Sequence, residues 1–532
     1  MYLKTITLGA IILGLLSNCD KATDTNDASK ERKFQPSETQ TKTSDVNMES
    51  EPYDKVIDKS KYEEIKENEF LMVNENPLST FSVDVDTASY SNIRSYIENG
   101  QIPPRDAVRI EEMINYFEYD YPQPDAASPF STTFELASAP WNPKHRLLKI
   151  GLQGKKIAVE QRPVANLVFL IDVSGSMTEE LPLLKAGFKL LIDNLTKDDR
   201  VAIVVYAGNA GVVLEPTSDK SAILASLEKL QAGGSTAGGE GIKLAYDLAQ
   251  RSFKSGAINR VILATDGDFN VGVADDKTLV ELVKKSASEG LELSVLGFGF
   301  ANLNDSMMEK ISNEGNGNYA YIDTILEAKK VLVNQVSGTL VTIAKDVKIQ
   351  IEFNPAKVAQ YRLIGYENRM LAAKDFNNDL KDAGDIGAGH SVTALYELIP
   401  AEENGVIKGT DAPEGTDSLV FQSSTGLTTR GKDAGESVAV RLRYKDPGED
   451  TSKVQEFAKK DDQQTMTSAS TDFKFCAAVA SFGMILRNSN NKSESNISLV
   501  RQLATEGLGQ DLSGYRKGFL DLIAAYEEIK KN

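Results

Sequence analysis

Three oxygen-bearing side chains alternate at Asp172, Ser174 and Ser176, with Gly175 between the serines. One carboxylate and two hydroxyls at that spacing suit a hard divalent cation such as magnesium or manganese, with calcium also compatible. Three oxygens do not fill a coordination shell, so the rest must come from elsewhere in the chain, from water or from a partner. Two later stretches offer candidates. The loop Gly233-Gly-Ser-Thr-Ala-Gly-Gly239 carries Thr236 in a backbone flexible enough to approach an ion closely. Thr265-Asp266-Gly267 supplies a second carboxylate. Glu240 and Asp268 lie near these loops in sequence and read as solvated charges or as support behind the ligands.

These residues need a scaffold. Leu167 to Ile171 is a short, continuous apolar run ending at Asp172, which reads as a strand buried on both faces of a parallel sheet. A helix follows near Pro182, with Leu184, Phe188, Leu191 and Leu195 on one face. A second apolar run, Arg260 to Ala264, ends at Thr265-Asp266. Strands read at Leu167–Ile171, Val201–Tyr206, Gly211–Leu214, Val261–Ala264, Leu293–Gly297 and Tyr319–Ile322. Helical patterns such as Ile223, Leu224, Leu227, Leu230 and Ile242, Ala245, Leu248 lie between most of them. This alternation predicts an α/β, doubly wound, mostly parallel sheet over 165–340. The oxygens then collect at the carboxyl edge of the strands, where open α/β sheets bind ligands.

Asp172-x-Ser174-x-Ser176, then Thr236, then Asp266, in that order, resembles the metal-ion-dependent adhesion site of von Willebrand factor type A domains. The resemblance implies that Ser174, Ser176 and Thr236 ligate the metal directly, with Asp172 and Asp266 acting through water or hydrogen bonds. It also implies one open position for an acidic group, Asp or Glu, of a protein partner.

Met1 to Asn18 has Lys4 in a short start and an apolar core from Ile6 to Leu16, too short to span a bilayer; 1–18 reads as a signal peptide. It ends Leu16-Ser-Asn-Cys19, which resembles a bacterial lipobox with lipid added to Cys19. Lipidation implies a membrane anchor without a transmembrane helix, in the cell envelope at the outer membrane or periplasmic face. Residues 19–65 are polar and charged, and read as a disordered tether.

An N-terminal module spans 66–164, a β-rich module 341–460 and a helical segment 461–532. Strand-type alternation appears at Leu148, Ile150 and Leu152, then at Val347, Ile349, Ile351 and Phe353, at Val392, Ala394, Tyr396 and Leu398, and at Val438, Val440, Leu442 and Tyr444. These strands form either one β-sandwich into which the α/β domain is inserted, or separate β modules flanking it. Phe475 to Leu486 is apolar nearly all round and reads as a buried helix, with Cys476 a small core residue. Asp84-Val-Asp86-Thr87 lacks the fifth residue of a phosphatase nucleophile motif, and Asp86 or Ser89 reads as a helix cap. The stretch around Ile110 to Phe117, and the C-terminal segment, resemble the corresponding modules of a bacterial lipoprotein family often called YfbK-like.

A net charge of -18 argues against nucleic acid as the partner. Two cysteines, Cys19 and Cys476, leave no disulfide framework once the first is lipidated. Neither His145 nor His390 sits in a nucleophile–base motif, and there is no Gly-x-Ser-x-Gly elbow or phosphate loop. The reading is therefore a binding protein and not an enzyme. The alternatives are an envelope assembly factor using the same site transiently and, further off, a metal-dependent hydrolase.

Overall fold

At the centre of the computed structural model is a six-stranded sheet in the order Tyr319–Tyr321, Glu292–Gly297, Ile258–Thr265, Ala165–Asp172, Arg200–Tyr206, Ala210–Thr217. The structure describes residues 58–531, except 84–85, 126–127, 159–160, 208, 235–237, 268–275, 301, 336–339 and 403–408. All neighbours in this sheet are parallel except the antiparallel edge strand Ala210–Thr217. Counted within the domain the order is 6-5-4-1-2-3, so the topological switch point falls between Ala165–Asp172 and Ile258–Thr265. Both faces are covered. Leu184, Phe188 and Leu191 of the helix Leu181–Asp193 pack on one face with Phe169 and Ile171. Ile242, Ala245 and Leu248 of the helix Gly238–Arg251 pack on the other with Val168 and Leu170. The two central strands are apolar with little alternation because neither face meets water, whereas the edge strand Ala210–Thr217 is partly exposed.

Strands from before and after this domain interleave in two further sheets. One holds Leu71–Met72, Val358–Ile364, Ser391–Pro400, Asn142–Gly154 and Phe130–Ala139. The other holds Met370–Leu371, Leu78–Ser82, Thr342–Phe353, Glu436–Lys445 and Ser452–Lys460. Ile150 and Ile349 bury in one core with Phe81, Tyr396 and Val440, and Phe353 stacks on Tyr361 at 3.9 Å. The α/β domain leaves and re-enters this sandwich at adjacent points: the Gly389 amide donates to the Lys155 carbonyl, and the Ala388 amide to that of Val341.

A third core unites the two ends of the chain. Helices Ala88–Glu98 and Ile110–Asn115 pack with Thr471–Leu486, Ile497–Glu506 and Tyr515–Lys531 around Phe117, Phe475, Phe482 and Phe519. The helix Thr471–Leu486 is apolar all round because it is enclosed on all sides. Gly483 lets it lie against Ile110, where a Cβ would come within 2.9 Å of the Ile110 side chain. Cys476 is fully buried there, and burial pushes its thiol up to about 12.

Polar groups lock the α/β domain to its surroundings. Arg94 forks onto Asp323, just before the helix Ile325–Lys329, and also reaches Glu327 on that helix at 2.8 Å. The Lys330 ammonium lies over the Tyr116 ring and donates to the Tyr116 carbonyl at 2.6 Å. Arg109 reaches Glu112 and Asp305. Asp86 does not cap a helix, contrary to the expectation from sequence. Helix Ala88–Glu98 begins after Thr87 without a side-chain cap, and Asp86 accepts the Tyr319 amide at 2.8 Å, while Ser89 bonds the Ala107 carbonyl. A cap was the local solution; a long-range acceptor for the domain's last strand won instead. Asp84 lies outside the described residues. Asp86, Glu112 and Glu309 bring carboxylate oxygens within 4.8 Å of one another. Guanidinium groups of Arg109 and Arg369 already lie on these acids, so the cluster reads as a clamp.

Candidate metal centre

Asp172 ends the central strand and is fully buried. One carboxylate oxygen accepts the Ser174 amide at 2.8 Å and the other the Thr265 hydroxyl at 3.2 Å. The first bond turns the chain sharply, so that the Ser174 and Ser176 hydroxyls lie 3.1 Å apart. Ser174 is buried while Gly175 and Ser176 are exposed, so the pair opens to solvent on one side. A single 3₁₀ turn, Gly175–Thr178, then leads into the helix Leu181–Asp193.

The glycine loop docks on this turn. The Gly233 amide donates to the Val173 carbonyl at 2.7 Å, and the Gly175 amide to the Gly234 carbonyl at 3.2 Å. Gly234 has φ +101°, which a residue with a side chain rarely adopts. Thr236, two residues on, lies outside the described residues, as do Asp268 and Cys19. Asp266 follows the strand that pairs with the central one and is buried. Glu240 is exposed on the first turn of its helix.

Three further residues belong to this edge and carry no motif. The Tyr206 hydroxyl lies close to Asp172 and Thr265. Thr265 itself bridges Asp172 and the Gly267 amide. Glu180 lies against Gly299 and beside Asp266. A strand alternation could have flagged Tyr206, but nothing local joins Glu180 to a loop more than a hundred residues away.

Burial pushes the Asp172 carboxyl up to about 6; the Ser174 bonds oppose that shift, and neighbouring Asp266 reinforces it. Burial, then Asp266, also raises Glu180. The strongest charged neighbour of Asp172 is thus another carboxylate, an arrangement that a divalent cation neutralises well. The hydroxyl pair and the two carboxylates fit such an ion. A cation held there would compete with the proton on Asp172. Metal affinity is expected to fall as the pH drops through about 6. Without metal, Asp172 contributes stability below its ordinary carboxyl range that is lost as the pH rises through about 6, because the folded state holds the extra proton in that window. Manganese titration at about pH 5 and about pH 7.5 checks the first point. Equal affinity at both would contradict it.

His145 bonds Glu397 at 2.6 Å within the sandwich, and the His390 carbonyl accepts the Gly154 amide at the domain junction.

Comparison with known proteins places the chain in a family. The family described as "von Willebrand factor type A domain" matches residues 166–335, "von Willebrand factor" matches 56–149, and "Uncharacterized protein YfbK, C-terminal" matches 338–529. The "Uncharacterized protein YfbK" of Escherichia coli (strain K12) is 44% identical over 475 residues, covering 87% of this chain and 80% of the relative. The chain belongs to the YfbK family. Among solved structures, "conserved hypothetical protein BatB from Bacteroides thetaiotaomicron" is 28% identical with TM-score 0.29, covering 32% of this chain and 97% of that one. "von Willebrand factor type A from Catenulispora acidiphila" is 16% identical with TM-score 0.40, covering 75% of this chain and 91% of that one. The YfbK-family chain is thus an α/β protein built around a von Willebrand factor type A domain, a class associated with protein interaction and metal-dependent adhesion.

Proposed function

We propose that this YfbK-family chain is a lipid-anchored protein of the bacterial cell envelope that binds a protein partner through a divalent cation. Ser174, Ser176 and Thr236 would hold the ion directly, with Asp172 and Asp266 behind them through water or hydrogen bonds. An Asp or Glu of the partner completes the shell. The observation that carries this reading is the hydroxyl pair, 3.1 Å apart and open to solvent at Ser176, set on a buried carboxylate. Neutral hydroxyls next to the ion leave it electrophilic, so it favours an anionic sixth ligand. Magnesium suits that octahedral demand, with manganese or calcium as substitutes. Cys19 would carry the lipid, and the polar stretch after it gives reach from the membrane.

The test is capture of envelope proteins by the tagged full chain in magnesium. A partner is expected to be released by chelator and to be lost with Ser176→Ala, while Cys19→Ser moves the chain from the membrane to the soluble fraction. A partner retained in chelator and by Ser176→Ala would sink the metal-mediated reading. One seen only after crosslinking would favour a transient assembly role.

A further inference from the structure

The chain enters the described fold along the metal edge of the type A domain. Lys61 makes a parallel β-bridge with Asn304. Its amide donates to the Leu303 carbonyl at 2.8 Å, and its carbonyl accepts the Ser306 amide at 3.2 Å. The Ser60 hydroxyl accepts the Leu303 amide at 3.2 Å. The segment is held from its other side as well. The Tyr62 hydroxyl meets Asn92 and Tyr96 at 3.3 and 3.2 Å, and Tyr96 donates to Asp58 at 2.6 Å.

The backbone beneath this segment supports Asp266. Gly267, at φ +94°, is so close to the chain opposite that a Cβ on it would lie 2.5 Å from the Asn304 nitrogen and 2.8 Å from the Leu303 Cα. Gly299, at φ +79°, approaches the same carboxylate: a Cβ there would lie 3.3 Å from that of Asp266. Phe300 packs edge-on against Tyr96 at 5.2 Å. Asp266 is therefore flanked by two glycines whose backbone freedom is large, and contacts from outside must restrict it.

We infer that Ser60 and Lys61 are positioning residues of the metal centre. They strap Asn302 to Ser306 down onto Gly267 and so hold Asp266 at the strand edge. The inference rests on the metal-dependent binding proposed above and adds the residues that hold its second carboxylate in place.

The experiment uses the full chain and manganese alone as the probe. Lys61→Pro removes the amide donor and is expected to weaken manganese binding about fivefold, and Ser60→Ala about twofold, on the scale of single hydrogen bonds. Hydrogen exchange at the Gly267 and Leu303 amides is expected to quicken in both, while Glu64→Ala, at an exposed neighbour outside these contacts, changes neither readout. The unfolding midpoint without metal shows whether each variant is folded. If Lys61→Pro fails to fold, Ser60→Ala decides on the same criteria. Manganese uptake by wild type with unchanged affinity and exchange in the folded variants overturns the strap alone. No uptake by wild type overturns the proposed function and the strap's role with it.

Discussion

Asp172→Ala is expected to erase the metal-dependent stabilisation of this protein. Wild type at a manganese concentration about one hundred times its dissociation constant gains roughly 2.7 kcal/mol. In a domain of this size that raises the unfolding midpoint by several degrees, roughly. The variant should show no such rise, because two functions are lost together. The carboxylate that faces Asp266 is gone, and the Ser174 amide and Thr265 hydroxyl lose the acceptor that shapes the turn. Without metal the expected change is smaller. Two donors left without an acceptor cost about 1–3 kcal/mol each at most, while removal of a buried carboxyl relieves its desolvation. Thermal unfolding with and without manganese separates the two terms. A rise of equal size in wild type and variant would mean that the ion binds elsewhere, and the assignment of Asp172 would fail.

Arg109→Ala is expected to cost about 3–5 kcal/mol, as removal of one partner from a buried ion cluster does. Arg109 is almost fully buried and comes from the N-terminal module, while Asp305 and Glu309 lie on the helix Asp305–Glu314 of the type A domain. Its guanidinium bonds Asp305 at 2.5 and 3.1 Å and also pairs with Glu112. Alanine leaves these acids buried with Arg369 as the remaining cation on Glu309 and Asp86. Lysine is not expected to restore stability fully, because one ammonium cannot reproduce the fork that reaches two acids. Burial pushes Glu309 up to about 7 even with both arginines present. The deficit of the variant should therefore shrink as the pH falls through that value and the acids take up protons. Denaturant unfolding at two pH values checks this. A loss below about 1 kcal/mol, or one independent of pH, would show that the cluster is not the clamp described.

The sequence by itself determined the elements and the local geometry of the candidate centre. A short unbroken apolar run that ends in polar residues reads as a strand covered on both faces, and this holds for Leu167 to Ile171 in the centre of the sheet. Alternation marked the strands around Ile150 and Ile349, although their polar residues Lys149, Lys348, Gln350 and Glu352 are buried as well and the strands are not half-buried, and an apolar helix with no polar face marked the enclosed helix at Phe475. The spacing of Asp172, Ser174 and Ser176 sufficed to place their oxygens on one turn, because two-residue steps are settled by backbone geometry alone. Which strands share a sheet, and which charges meet, was decided only by the tertiary structure. Arg94 finds Asp323 across 229 positions and Asn68 reaches the Gly365 carbonyl across 297. Asp86 serves an amide of a distant strand instead of its own helix. Glu180 comes beside Asp266, and Lys61 reaches the loop over Gly267, through backbone contacts that any side chain could accompany. Periodicity reports which face of an element is apolar, and spacing reports what one turn can gather. Neither carries the identity of the element on the other side, which depends on how three cores close together.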